Sequence, residues 1–299
     1  MLVCVGDLVE DVVVWTAGPA RVGTDNVARV CRARGGAAAN VAAFAGSLGT
    51  SVRFVGRVGD DLVGNALIQD LIAAGVDAKV QQEGRTGTIV ILVDPRGERT
   101  MYPDRGAAAE LADVPDDWLS GAGAIHLSAY SLVGPSLSVL RRASELARAD
   151  GAVLTVDASS AALIDAIGPD RFRDLIRSLR PTYLFANGIE ADVGSLRDLA
   201  SSGTTVVVKN GVEPTELHFG GGRTASVPVP RVGEVRDTTG AGDAFAAAFV
   251  TAVLVDADMV DVVDAVAAGH TLAQRVLAEP GATLSIVSAK AEKNGTTGD

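Results

Sequence analysis

From about residue 124 onward, short β-branched runs alternate with stretches of helical periodicity. Ala124–Ser128 reads as a strand, Ser136–Ala149 as a helix, Val153–Val156 as a strand and Arg171–Leu179 as a helix. Tyr183–Ala186, Glu190–Ala200 and Thr205–Lys209 continue the series as strand, helix and strand. Strands that are apolar throughout must be covered on both faces, so the pattern predicts an α/β fold: a three-layer α/β/α sandwich with a mostly parallel central sheet.

The first hundred residues read differently. Between an opening strand at Met1–Gly6 and a helix at Ala39–Leu48 lie Val12–Trp15 and Val27–Cys31, and later Thr88–Val93 and Arg99–Tyr102 flank the turn Asp94-Pro95-Arg96-Gly97. These segments predict a small antiparallel β lid over a ligand crevice, discontinuous in sequence, from about 12–33 and 86–104. No internal repeat and no linker divides the chain. One large α/β domain over 1–299 is expected, with Glu292–Asp299 as a frayed, disordered tail.

Composition narrows the function classes. With 47% apolar and 21% charged residues in 299, the chain can build a large core, filled mainly by Ala, Val and Leu because aromatics are only 4%. A net charge of −11 without a basic run speaks against polymeric nucleic acid as partner, though not against a nucleotide held by backbone amides and a metal ion. No apolar run approaches the ~18 residues of a membrane span, and the chain opens on a strand without a basic leader, so a soluble cytoplasmic protein is expected. Two cysteines and three scattered histidines give neither a disulfide framework nor a zinc cluster.

The stretch Asp237-Thr238-Thr239-Gly240-Ala241-Gly242-Asp243 runs directly into the helix-forming Ala244–Val250. Gly240, Ala241 and Gly242 therefore fall at a helix start, where amides unpaired within the helix and the positive end of its dipole suit a phosphoryl group. Asp243 alone could be an ordinary acidic residue of a first turn; beside such donors it reads as a catalytic base whose proton acceptor is held next to an anion hole. The same donors predict a lowered pKa for Asp243.

At these residues the sequence resembles the ribokinase-like, phosphofructokinase-B type of sugar and nucleoside kinases. Asp237–Asp243 is similar to the family's C-terminal signature; Gly35-Gly36-Ala37-Ala38-Ala39-Asn40 with Gly56-Arg57-Val58-Gly59-Asp60-Asp61-Leu62-Val63-Gly64 is similar to its N-terminal one. The resemblance implies ATP and Mg²⁺, Asp243 as base, and Asp11, Gly36 and Asn40 in the substrate pocket. It assigns Asn187, Lys209, Gly211 and His270 to ATP, and Glu190 to Mg²⁺ through water. It further matches Asp237, Thr239 and Gly281 to a loop that in some relatives binds K⁺. The residues themselves leave alternatives: Asn40 and Asn187 as helix caps, Glu190 as a capping-box partner, Lys209 as a solvated strand end, His270 as an exposed helix histidine. Asp60 or Asp61 suits a cap of the helix Leu62–Ala73, and Asp7 reads as a solvated strand-edge charge.

Ribokinases proper carry lysine where this chain has Ala37, and glutamate where it has Ser128-Ala129-Tyr130. Trp15, Ala37 and Tyr130 leave room for an acceptor carrying a base, a nucleoside such as pseudouridine, beside the free sugar. The expected activity is phosphorylation of a hydroxyl, a primary CH₂OH, of a sugar or nucleoside. A non-catalytic sensor on the same fold is the alternative from another class. Val12–Trp15 and Val27–Cys31 offer a surface for a homodimer through the lid, or edges protected within one chain.

Overall fold

Leu2, Val3, Cys4 and Val5 are all fully buried, which a strand permits only when both sheet faces are covered. In the computed structural model, which describes residues 1–231, 233, 235–255 and 261–278, Leu2 and Cys4 enter one hydrophobic core and Val3 and Val5 another. This is the period-2 alternation of a strand shared between two layers.

In chain order the strands are β1 (Leu2–Val5), β2 (Val9–Thr16), β3 (Ala28–Gly35), β4 (Val52–Val58), β5 (Val76–Gln82), β6 (Thr86–Val93), β7 (Arg99–Gly106), β8 (Ala124–Ser128), β9 (Val153–Asp157), β10 (Tyr183–Asn187), β11 (Thr205–Asn210), β12 (Glu213–His218) and β13 (Thr224–Val227). The helices are α1 (Ala37–Ser47), α2 (Leu62–Ala73), α3 (Asp116–Leu119), α4 (Ser136–Asp150), α5 (Ala161–Ile167), α6 (Pro169–Leu179), α7 (Gly188–Val193), α8 (Ala241–Val255) and α9 (Val262–Leu277).

The described residues form a nine-stranded sheet in the order β13-β12-β11-β10-β9-β8-β1-β4-β5. It is parallel from β11 to β5, with β12 and β13 added antiparallel at one edge. Helices α1, α2, α8 and α9 pack on one face around Phe44, Phe245 and Phe249; α4, α5 and α6 pack on the other around Leu140, Phe172 and Ile176. The three-layer sandwich is thus as the pattern predicts.

The smaller sheet, in the order β3-β2-β6-β7, comprises the segments expected to form the lid. It is mixed and not purely antiparallel: β2 and β6 run parallel, while β2–β3 and β6–β7 are antiparallel. Strand β2 leaves the carboxyl edge of β1 after three residues, so the lid grows directly from the crevice end of the sheet. Register places Asp11 opposite Ile89 and Ile89 opposite Pro103, so Asp11, Arg99 and Arg105 share one lid face. Asp61 caps α2 through the Gly64 amide at 2.8 Å and also accepts from the Thr86 amide at 2.8 Å, pinning the start of β6 to the core.

One predicted element is broken. The helix expected over Glu190–Ala200 stops as α7 at Val193, turns at Ser195, whose φ is 46°, and resumes as a 3₁₀ turn over Leu196–Ser202. Gly194 and the left-handed Ser195 interrupt the hydrogen-bond ladder at a point where apolar periodicity alone gives no warning. Among the described residues no helix is long and apolar enough to cross a membrane.

Candidate active site

The sheet's carboxyl edge collects polar groups because the adjacent strands β8, β9, β10 and β11 each end in a polar residue. Asp157 ends β9, Asn187 ends β10, and register sets Phe185 beside Asp157 and Asn187 beside Lys209. Lys209 Nζ donates to Asp157 Oδ2 at 3.0 Å and lies 5.9 Å from the centre of the Phe185 ring. Desolvation alone would lower the Lys209 pKa; the carboxylates of Asp157 and Glu190 outweigh it and hold the ammonium protonated.

Asn187 and Glu190 form a reciprocal capping box: Glu190 N–H donates to Asn187 Oδ1 at 2.9 Å, and Asn187 donates back through its backbone N–H at 2.8 Å and its Nδ2 at 2.7 Å. The capping alternative for this pair is therefore realised. Glu190 is nevertheless buried, and desolvation and the nearby Asp157 raise its pKa, so the pair is also a charged element of the crevice.

Helix α8 begins at Ala241, after Gly240 with φ 75°, a conformation that glycine adopts without strain. The Ala244 amide donates to Gly240 O at 2.8 Å, and the Ala241 amide turns back to Thr238 O at 3.4 Å. A Cβ built on Gly242 would stand 3.2 Å from Lys209 Nζ. The ammonium thus lies against the helix N-terminus, and both favour an anion at the same spot.

Asp243 sits in the first turn of α8, and Asn40 Nδ2 in the first turn of α1 donates to its Oδ2 at 2.9 Å. The Asp243 pKa moves opposite to the sequence expectation. Desolvation, aided by Asp157 and Asp7, pushes it up to about 7 against the lowering effects of Asn40 and Lys209. Withdrawal of the carboxyl from water outweighs the donors around it.

The N-terminal pocket depends on backbone contact. A Cβ on Gly35 would fall 2.1 Å from Asp11 Oδ1, and one on Gly36, whose φ is 100°, 2.3 Å from Asp7 O. The two glycines let the Asp11 carboxylate and the β1–β2 connection settle on the start of α1. Asp11 is buried and its pKa is pushed up to about 6, by desolvation first, with Asp7 adding to the rise and Arg99 and Arg34 opposing it.

Asp7, read from sequence as a solvated strand-edge charge, is instead 3% exposed. Its Oδ2 accepts from the Ala37 amide at 3.3 Å and lies 4.0 Å from Arg105 Nη2. The three-residue connection Gly6-Asp7-Leu8 between covered strands holds it inside.

His270 in α9 is buried, contrary to the exposed alternative: its Nε2 pairs with Thr215 Oγ1 at 2.8 Å and its ring tilts against Phe245. Burial lowers its pKa, so the imidazole is neutral at pH 7. A cavity of about 520 Å³ brings His270 together with Asn187, Glu190, Lys209, Gly211, Ala241, Gly242 and Asp243. Val212, Val229, Val235 and Leu277 line its apolar part. Asp11, Gly36 and Asn40 lie outside that lining and join it through the Asn40–Asp243 bond.

Asp237 Oδ1 accepts from the Thr239 amide at 2.9 Å and from Thr239 Oγ1 at 2.6 Å, and Arg99 Nη1 lies 4.0 Å away. Gly281 lies outside the described residues. The residue that sequence reasoning missed is Asp157. Its one signal is a lone carboxylate closing an apolar core strand at the same edge as Asn187 and Lys209.

A helix N-terminus flanked by a lysine, with a carboxylate of near-neutral pKa beside an apolar-walled cavity, suits phosphoryl transfer on a three-layer α/β fold. The pfkB family carbohydrate kinase model matches residues 1–289, and the chain belongs to that family; it is a phosphotransferase with an alcohol group as acceptor. It is 29% identical over 277 residues to a fructokinase-1 of Oryza sativa subsp. japonica, covering 86% of this chain and 84% of that one. A fructokinase of Klebsiella pneumoniae is 30% identical over 255 residues, covering 78% and 82%. The crystal structure of adenosine kinase from Sinorhizobium meliloti superimposes with a TM-score of 0.84 over 95% of this chain and 96% of that one, at 24% identity, which establishes the shared ribokinase-like fold.

Proposed function

We propose that the chain transfers the γ-phosphoryl group of ATP to a hydroxyl, a primary CH₂OH, of a sugar or nucleoside. The observation that supports this most is the 2.9 Å bond from Asn40 to Asp243. It sets a carboxylate with a pKa of about 7 at the junction of an acceptor pocket and a helix N-terminus. In this reading the acceptor oxygen attacks the γ-phosphorus in line, its proton passes to Asp243, and ADP leaves with the bridging oxygen. The helix start at Gly240–Gly242 and the Lys209 ammonium stabilise the charge on the transferring group. The cavity that His270, Val212 and Leu277 line takes the adenosine, with the Asn187 and Gly211 turns along its phosphates.

Mg²⁺ would be held chiefly by the triphosphate, with Glu190 and Asp157 reaching it through water, and would neutralise phosphate charge. Water-mediated contact fits, because Asn187 engages both Glu190 oxygens, and Lys209 and the Ser159 amide engage those of Asp157. Among the described residues no three carboxylate, histidine or cysteine groups gather into a direct metal site. A K⁺ in this loop would draw on its backbone carbonyls, since Thr239 and Arg99 already face Oδ1 of Asp237. Closure of the lid would exclude water, the competing nucleophile.

The test is Asp243→Asn. The variant is expected to fold and bind ATP while kcat falls by about 10²–10⁴-fold, the usual contribution of a positioned general base. Near-normal kcat would remove Asp243 from the role.

A further inference from the structure

Among the described residues, those other than glycine with a left-handed backbone are Asp113, Ser159, Arg180 and Ser195. Arg180 closes α6 and Ser195 opens the 3₁₀ turn after α7, places where a helix terminus accounts for the conformation. Ser159 closes no helix; it follows β9 and, unlike the other three, lines the cavity of about 520 Å³.

Its turn is tighter than a left-handed residue alone requires. The Ala158 amide still follows the sheet, donating to Phe185 O at 2.8 Å, and two residues later the Ser160 amide turns back to Ala158 O at 2.8 Å. A hydrogen bond from one neighbour to the other around a centre with φ 70° is a γ-turn of the rare, strained hand. Strain of this kind persists only where the surroundings impose it, and it gathers at functional sites.

The turn is tied to Asp157. The Ser159 amide donates to Asp157 Oδ1 at 2.8 Å, and Ser159 Oγ donates to Asp157 O at 3.1 Å while lying 3.3 Å from Ser128 Oγ at the end of β8. With Oδ1 taken by the turn, Oδ2 is the oxygen presented to Lys209 Nζ, 3.0 Å away.

That orientation matters because Lys209 stands among three carboxylates. Desolvation would lower its pKa, and Asp157, Glu190 and Asp243 together outweigh it. Glu190 receives Asn187 on both its oxygens, and Asp243 receives Asn40 on Oδ2. An ammonium that slid from Asp157 toward Asp243 would occupy the group proposed as the base, and it would leave its place against Gly242 at the start of α8.

We propose that Ser159 is a positioning residue of the nucleotide site: its γ-turn locks Asp157 with one oxygen toward Lys209, and so keeps the ammonium at the helix start where the phosphates of ATP are proposed to lie. This rests on the kinase reading of the site. What the position requires is then the backbone conformation and not the hydroxyl as such. Glycine adopts a positive φ without strain and asparagine more readily than most residues, whereas alanine does so at a cost. Alanine also lacks the Oγ that anchors the turn.

The experiment compares Ser159→Gly, Ser159→Asn and Ser159→Ala with the wild-type full chain. Calorimetry titrates each with the β,γ-imido analogue of ATP and Mg²⁺, ADP release is followed with fructose, ribose and adenosine as acceptors, and a thermal melt verifies that each variant is folded. The alanine variant should bind the analogue about 10-fold more weakly and show the same rise in KM for ATP, with the acceptor KM unchanged, since misplacing a positioned group costs on that scale. The glycine and asparagine variants should stay within about 3-fold of wild type. A residue needed only for stability would not separate glycine from alanine in this way. Equal weakening by glycine and alanine overturns the proposal in favour of the hydroxyl, and alanine binding as tightly as wild type overturns it outright. Crystal structures of the glycine and alanine variants read the same point without nucleotide: Asp157 should keep its oxygen on Lys209 in the first and lose it in the second, and an unmoved Asp157 in both overturns the proposal. A wild type that neither binds the analogue nor releases ADP with any of the three acceptors defeats the kinase reading, and the role in nucleotide binding falls with it, while the two crystal structures still decide whether the turn orients Asp157.

Discussion

Asn40 and Asp243 are 203 residues apart in sequence and joined by a 2.9 Å hydrogen bond, each from the first turn of its own helix. In the proposed reading the bond couples the acceptor pocket to the base: Asn40 donates to the carboxylate and so opposes the desolvation that raises its pKa. Asn40→Ala removes the opposing influence, and the Asp243 pKa should rise further. A general base works only when deprotonated, so kcat/KM should climb as pH passes through about 7 in the wild type and climb only at higher pH in the variant. A pH–rate profile of both decides it; coincident acidic limbs would show that Asn40 does not tune Asp243. At pH 7 the variant should lose about 10-fold in rate, the scale of a hydrogen bond to a charged group.

The buried pair Lys209–Asp157 makes a second case. Asp157 is 8% exposed, and Lys209 Nζ donates to it at 3.0 Å beneath the helix start of α8. Removing one partner strands the other charge, so Lys209→Met and Asp157→Asn should each lower stability, by about 3–5 kcal/mol for an uncompensated buried ion. The double variant should recover much of that loss, since neither charge is then unpaired, while its KM for ATP should stay high because the ammonium proposed to face the phosphates is gone. Urea unfolding measures the first part and ATP kinetics the second. Additive losses in the double variant would mean that the pair is not coupled.

The chain's alternation made the core legible, and the site less so. Strand β8 and helix α2 coincide with the residues read from the pattern, because a fully apolar strand and a helix bounded by Asp61 and Gly75 have few other solutions. The Asp243 motif was legible because glycines directly before a helix-forming run restrict where that helix starts. Asp157 was not, because one carboxylate at the end of Val153–Val156 means nothing until β11 brings Lys209 to its side. The edge hairpin β12–β13 escaped notice for want of apolar alternation, yet its Thr215 fixes His270. The direction of the Asp243 pKa was misjudged for a related reason: hydrogen-bond donors can be read from local sequence, whereas burial is a property of the whole fold.

Gly35 offers a steric test of the acceptor pocket. A methyl group there would fall 2.1 Å from Asp11 Oδ1 and 2.3 Å from Asp11 Cγ, too close for either to stay in place. Gly35→Ala should therefore displace the Asp11 carboxylate and raise the acceptor KM by at least about 10-fold, as misplacement of a positioning group by about an ångström costs up to 100-fold. The KM for ATP should hold, because Gly35 lies outside the lining of the cavity proposed for the nucleotide. Parallel loss of both constants would point instead to general unfolding, which a thermal melt would register.

Stability should depend on pH in a way that exposes the strain of the site. Asp243 and Asp11 have pKa values of about 7 and about 6 in the folded chain, above the ordinary aspartate value near 3.9 that holds when unfolded. Between those values the folded state binds more protons than the unfolded one, so each group costs stability as pH rises from about 4 toward 7. Asp61, Asp77 and Glu216 act oppositely, their pKa values being lowered by hydrogen bonds and cationic partners, so the wild-type curve alone mixes both signs. The difference between Asp243→Asn and wild type isolates one group. At pH 8 the amide avoids ionisation in a desolvated place and should raise Tm by a few degrees, about 2–4 °C for each kcal/mol relieved in a chain of this size. At pH 5, where Asp243 is already protonated, the two melting curves should nearly coincide. A Tm difference independent of pH would mean that the substitution acts through packing and not through charge.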